Sequence, residues 1–281
     1  MLKLFLVIEL LLCSGASVAD SPAAAPTEKS YSEGLAFYSE STQSIVNLSI
    51  TFPPRYTREV NYPVAIFLHG RGGDEFDFRH LGGEESLDQI SQETKTPFIV
   101  VAVKQPAHSY WKNGGNFGTA KMVTEDLLAF LEKSGLGVFP RYRGLFGISM
   151  GGHGAIYLSQ IAPKKFRAIY AISPVFRTYE TILPEDKIIY TSKYAFDSEN
   201  PVYLYQTKGI KPLPGVIEMG RDDSFLQSEP DTLRFLQLLQ RQEKSLSVDL
   251  SREGAHDSAY WKPAIKRALE FFAKEFSSPS R

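Results

Sequence analysis

Cysteine is almost missing from this chain: its 281 residues contain one, Cys13, set inside an apolar N-terminal run. A lone cysteine forms no internal disulfide, and with that run removed no thiol remains for catalysis. Charge imbalance is missing too. The formal net charge is -1, with 31 basic and 32 acidic residues and no long basic run, so neither nucleic acid nor an anionic membrane is indicated as a partner. Nor is there an apolar run long enough to span a bilayer comfortably, since the one from Leu4 to Leu12 is short and carries Glu9. With Lys3 ahead of it and the small residues Ser17-Val18-Ala19 behind it, this run reads as a secretory signal peptide over 1–19, cleaved before Asp20. A secreted or periplasmic mature protein without stable membrane insertion is therefore expected. Cys13 follows Leu-Leu-Leu rather than the small residue of a lipoprotein signal, so it belongs to the apolar run.

What remains is ordinary globular material, 43% hydrophobic and 22% charged, enough for a sizeable core. Residues 20–34 are small, polar and proline-bearing and read as a flexible leader. Residues 35–281 read as one domain. Val46 to Phe52 alternates apolar and polar residues like a half-buried strand, with Asn47-Leu48-Ser49 as a glycosylation sequon within it. Val64–Leu68, Phe98–Val103, the run ending at Phe146, Ala168–Ile172, Gly215–Met219 and Leu246–Leu250 read as strands, the continuous apolar runs among them as strands buried on both faces. Helical periods lie between them, over Glu84–Thr94, Ala120–Lys133, Met150–Ala162, Glu229–Gln242 and Lys262–Phe276. Strands alternating with helices predict an α/β, doubly wound, mostly parallel sheet. Ser173 to Leu213, rich in Tyr and Pro and without period, predicts a small insertion before the Gly215 strand, beside the site.

The chain is organised around Gly147-Ile148-Ser149-Met150-Gly151, where a strand turns straight into a helix. Such a turn forces the serine into a strained conformation and leaves room for almost no side chain two residues to either side. It exposes a serine Oγ at a helix N-terminus, the arrangement of a nucleophile elbow. A serine nucleophile needs a base, and the base needs a carboxylate to hold its tautomer. His69 belongs to an early loop and His153 to the helix after the serine, where it points into packing; His80 and His108 precede the serine. His256, in the loop after the last strand, is the candidate base. The preceding strand ends in Gly220-Arg221-Asp222-Asp223, which offers two adjacent acids, with Asp257 and Asp231 as weaker options. An oxyanion hole would use the backbone N–H of Met150 and one from the early loop, that of Arg71. Aromatic residues gather near these segments (Tyr110, Trp111, Tyr179, Tyr190, Tyr194, Tyr260, Trp261). Trp111 and Trp261 are expected to line a substrate pocket, against the alternative that they are core.

Gly-Ile-Ser-Met-Gly-Gly-His-Gly-Ala155, Leu-His-Gly-Arg-Gly-Gly73, Gly-Arg-Asp-Asp-Ser-Phe225 and Gly-Ala-His-Asp-Ser-Ala-Tyr-Trp261 together resemble the esterase D family of α/β-hydrolases. That family groups S-formylglutathione hydrolases, feruloyl and acetyl xylan esterases, enterochelin esterases and mycolyltransferases. The resemblance covers about residues 40–275. It implies an α/β-hydrolase fold and a Ser-His-Asp triad, and it maps the acid onto Asp223 beside Ser149 and His256. It also implies hydrolysis of a small-molecule or carbohydrate ester through an acyl-enzyme, with no metal and no cofactor. The N-terminal signal sets this chain apart from the cytosolic formylglutathione hydrolases. Acyl transfer to an acceptor other than water is the competing reading within catalysis, and a non-catalytic binding protein is the competitor outside it.

Overall fold

The computed structural model describes residues 27–105, 109–114, 117–137, 139–187 and 190–278. The expected signal peptide, its cleavage point near Ala19, Cys13, the start of the leader and His108 lie outside the described residues. Among the described residues an eight-stranded sheet carries the fold, its strands lying side by side in the chain order first, second, fourth, third, fifth, sixth, seventh, eighth. Its strands are β1 (Tyr31–Ser39), β2 (Ser44–Phe52), β3 (Val64–Leu68), β4 (Ile99–Val103), β5 (Arg143–Ile148), β6 (Ala168–Ile172), β7 (Gly215–Glu218) and β8 (Leu246–Asp249). β1 and β2 form an antiparallel hairpin, and β2 meets β4 antiparallel; every pairing from β4 to β8 is parallel. This is the α/β-hydrolase arrangement expected from the alternating pattern and the family motifs.

The parallel strands divide their side chains between two cores, as the two-residue period of a strand requires. Val64, Ile66, Leu68, Val101, Leu145 and Ile169 face one layer of helices, and Ala65, Phe67, Val100, Phe146 and Tyr170 face the other. The first layer holds the helix over residues 119–133, Met150–Ile161 and Pro230–Gln242, here α2, α3 and α5; the second holds Gly83–Thr94 and Ser258–Ser277, here α1 and α6. Gly144 lies where α6 crosses β5, and a side chain there would overlap the Phe272 ring. Met122–Leu127, in the middle of α2, is a π-helical turn, which the apolar spacing does not announce.

Two boundaries depart from the sequence expectation by four residues. β1 begins at Tyr31, so residues 31–34, expected to belong to the leader, are paired with Ser49 to Phe52. Their side chains are half-buried or exposed and Gly34 adds none, which leaves little burial signal to read. α6 starts at Ser258 rather than Lys262, because the Asp257 carboxylate accepts the N–H groups of Ala259 and Tyr260 and caps it. Among its described residues, the segment from Ser173 to Leu213 forms three short helices, Pro184–Lys187, Lys193–Asp197 and α4 (Pro201–Lys208). No described helix is long and apolar enough to cross a membrane.

Candidate active site

Strand register brings the site together. Ile148 pairs with Ile172, Ile172 with Glu218, and Glu218 with Asp249, so β5 to β8 end in a row. The residues that follow these ends all emerge on one edge, where open parallel sheets bind ligands.

Ser149 leaves β5 with φ 52 and ψ -115, a conformation costly for a residue with a side chain. The neighbouring glycines permit it. A Cβ on Gly147 would lie 2.5 Å from the Leu68 carbonyl oxygen and 2.6 Å from the Gly151 carbonyl carbon, and one on Gly151 would overlap the Leu68 carbonyl outright. The elbow is thus wedged against the end of β3. Ser173, which follows the neighbouring β6, shares a positive φ with Ser149, at 47. Ser173 gave no signal in the sequence. It is fully buried after β6, its N–H donates to Glu218, and its Oγ lies 3.3 Å from Trp261 Nε1.

Ser149 Oγ lies 2.8 Å from His256 Nε2, and His256 Nδ1 lies 2.7 Å from Asp223 Oδ2. Asp223 is fully buried, and its other oxygen accepts the Phe225 N–H at 3.0 Å. A carboxylate only accepts, so Nδ1 carries the imidazole proton and Nε2 is left to accept from the serine hydroxyl. The ring is held edge-on by Phe225 and Trp261, with centroids 4.6 and 5.1 Å away.

The remaining acids have other tasks. Asp222 Oδ2 accepts the Gly254 N–H, while the N–H groups of Arg221 and Asp222 donate to the carbonyls of Arg252 and Gly254, so the acid and histidine loops are laced together. Asp257 caps α6, and Asp231 accepts from Thr178 and Thr181. Glu218, buried at the end of β7, binds Tyr170 and Arg267 and lies 3.5 Å from Arg252 in the histidine loop.

His69 and His153 are buried outside this relay. His69 Nδ1 is 2.7 Å from the Gly70 carbonyl; His153 Nδ1 is 3.0 Å from that of Val175. Burial holds His153 well below the usual imidazole range, and the Lys112 charge adds to the effect. Lys112 is itself pushed down to about 8 by burial, with the carboxylates of Glu199 and Asp186 opposing.

Met150 opens α3, so its N–H belongs to the first turn, whose donors have no partner within the helix. The early loop comes close as well. A Cβ on Gly70 would stand 3.6 Å from Ser149 Cβ, which places the turn carrying Arg71 against the serine.

Trp261 is half-buried beside the imidazole, as a pocket residue would be. Trp111 is not. It has no exposed surface, and a side chain on Gly154 of α3 would run into its indole, so it is a core residue and the pocket expectation is corrected. Tyr190 and Tyr260 are buried too, while Tyr194 is 80% exposed. Among the described residues, the group able to hold a metal is Asp74, Asp77 and His80, in and after the early loop and outside the serine relay.

The family profile described as "Esterase: Putative esterase" matches residues 39–272. S-formylglutathione hydrolase of Mus musculus is 29% identical over 195 residues, covering 65% of this chain. That match spans 62% of the mouse protein's length, less than two thirds. A solved ferulic acid esterase superposes with a TM-score of 0.76 at 20% identity, covering 89% of this chain and 99% of the other. An S-formylglutathione hydrolase from Agrobacterium tumefaciens gives 0.75 at 17% identity, covering 92% and 99%. At such identities the two solved structures attest to the fold.

Proposed function

The chain belongs to the Esterase family, and from that premise we propose that it is a serine carboxylic-ester hydrolase working through an acyl-enzyme. The observation that carries this reading is the unbroken relay from Ser149 Oγ through His256 to the buried Asp223, at 2.8 and 2.7 Å. Ser149 attacks the ester carbonyl while His256 Nε2 takes its proton, and Asp223 stabilises the imidazolium that forms. The carbonyl oxygen becomes an oxyanion, held by the N–H groups of Met150 and Arg71. His256 returns the proton to the departing alcohol, then draws one from water, which attacks the acyl-serine and frees the acid. The half-buried Trp261 and Phe225, both packed on the imidazole, support aryl or carbohydrate-linked esters as substrates. The signal-like residues 1–19 support export, with the mature chain starting near Asp20.

Hydrolysis of a short aryl acetate by the mature protein, beside Ser149→Ala, tests this. Loss of at least about 10³-fold in kcat for the variant is expected. Equal turnover by both proteins, or none by a folded wild type across aryl and acetyl-sugar esters, would overturn it.

A further inference from the structure

We infer that Asp186 is a positioning residue: through the Arg71 side chain it holds the turn whose backbone N–H meets the oxyanion. The inference rests on the serine-hydrolase reading above and adds to it the source of that turn's rigidity.

The turn runs from Gly70 to Gly73, closed by the Gly73 N–H donating to the Gly70 carbonyl at 3.2 Å, with Gly72 at φ 77. Three of its four residues are glycines, so the backbone has wide freedom of its own and little to hold one geometry. An oxyanion donor needs the opposite, since its value comes from being in place before charge develops.

The restraint comes from the Arg71 side chain. Its guanidinium pairs with the Asp186 carboxylate and lies 5.8 Å from the centroid of the Tyr110 ring. The Tyr110 hydroxyl accepts from Arg177, which also pairs with Glu229 at 2.7 Å. Asp186 sits in the short helix Pro184–Lys187 of the segment between β6 and β7, so the brace joins that segment to the loop after β3. Only 2% of the Asp186 side chain is exposed, against 33% for Arg71. A buried pair of this kind adds little net stability over apolar packing. Its value here lies in selecting one arrangement of a glycine-rich turn. Lys112 and Arg177 also lie in the field of Asp186, so its replacement must be compared with replacement of Arg71 itself.

The test uses Asp186→Asn, Arg71→Gln, their double variant and Arg71→Lys in the full mature chain. It reads kcat and KM on an aryl acetate, the Ki of an aryl trifluoromethyl ketone and thermal unfolding. The ketone adds the serine hydroxyl across its carbonyl, giving a tetrahedral hemiketal whose oxygen occupies the oxyanion position. Asp186→Asn and Arg71→Gln are each expected to lower kcat about tenfold, part of the 10²–10³ that loss of a whole donor costs. KM should stay within about twofold and ketone affinity should fall in step with kcat. The double variant should be no worse than the worse single one, and Arg71→Lys should recover part of the loss. Unchanged kcat and ketone affinity beside a lowered melting temperature would overturn the inference, as would additive losses in the double variant. Failure of the underlying reading looks different: wild type would not bind the ketone, or Ser149→Ala would match wild type.

Discussion

Asp222 and Asp223 are consecutive in the chain yet serve opposite sides of one loop. Asp223 Oδ2 meets His256 Nδ1 at 2.7 Å, whereas Asp222 Oδ2 accepts the Gly254 N–H at 3.1 Å. Asp223→Asn replaces a pure acceptor with a group that can donate, which favours the wrong imidazole tautomer. A fall in kcat of about 10³–10⁴ is expected, with KM little changed. Asp222→Asn keeps an oxygen for Gly254 and should hold kcat within about tenfold. Steady-state kinetics on one ester decides, and equal losses in the two variants would remove the division of labour.

The two tryptophans should separate in the same assay. Trp111→Ala empties a fully buried site and is expected to cost about 3–5 kcal/mol of stability, with KM on several esters unchanged. Trp261→Ala removes a ring that packs on the imidazole and should lower kcat/KM with a smaller effect on melting. Denaturant unfolding beside kinetics distinguishes them. A change of KM in a stable Trp111→Ala protein would return that residue to the pocket.

Lys112 gives a pH signature. Burial pushes its ammonium down to about 8, while in the unfolded chain it titrates near about 10.4. Between these values the unfolded chain binds more protons, so stability attributable to this group rises with pH from about 8 and levels off above about 10.5. Below pH 8 both states are charged and the folded one bears the desolvation cost, in part offset by the Tyr190 and Phe196 rings 5.5 and 4.9 Å away. Lys112→Met should therefore be more stable than wild type at pH 7, by about 3 kcal/mol, and the two should converge by about pH 10.5. Urea titrations of both at pH 7 and 10 measure the gap, and a gap that does not shrink would contradict the sign.

Much of this architecture is legible in the sequence for a plain physical reason. Strands buried on both faces must be apolar at every position, so Val64–Leu68 and Ala168–Ile172 are delimited by composition alone. β1 is an edge strand whose first half covers little, and its start is hidden among polar residues. The serine and histidine follow from motif and chain order. The choice between Asp222 and Asp223 did not follow from spacing, because adjacent residues share every periodic property and differ only in where the loop aims them. Ser173, Glu218 and the Arg71–Asp186 pair stayed hidden as well, since each depends on segments far apart in the chain. Trp111 misled for the converse reason: a loop tryptophan among glycines looks accessible, and only α3 packing over it shows otherwise.

The wedge of Gly151 against the Leu68 carbonyl has a consequence for time as well as for space. Ser149 is bent into its raised pose by β3, a strand that precedes it by some eighty positions, so long-range pairing must be complete before the elbow exists. A contact that distant forms late and at high entropic cost. On the proposed chemistry, a growing or half-unfolded chain carries an ordinary, unreactive serine, and reactivity arrives together with the finished sheet. A serine-directed organophosphate added during refolding would then count completed molecules one by one, its labelling lagging behind the return of secondary structure.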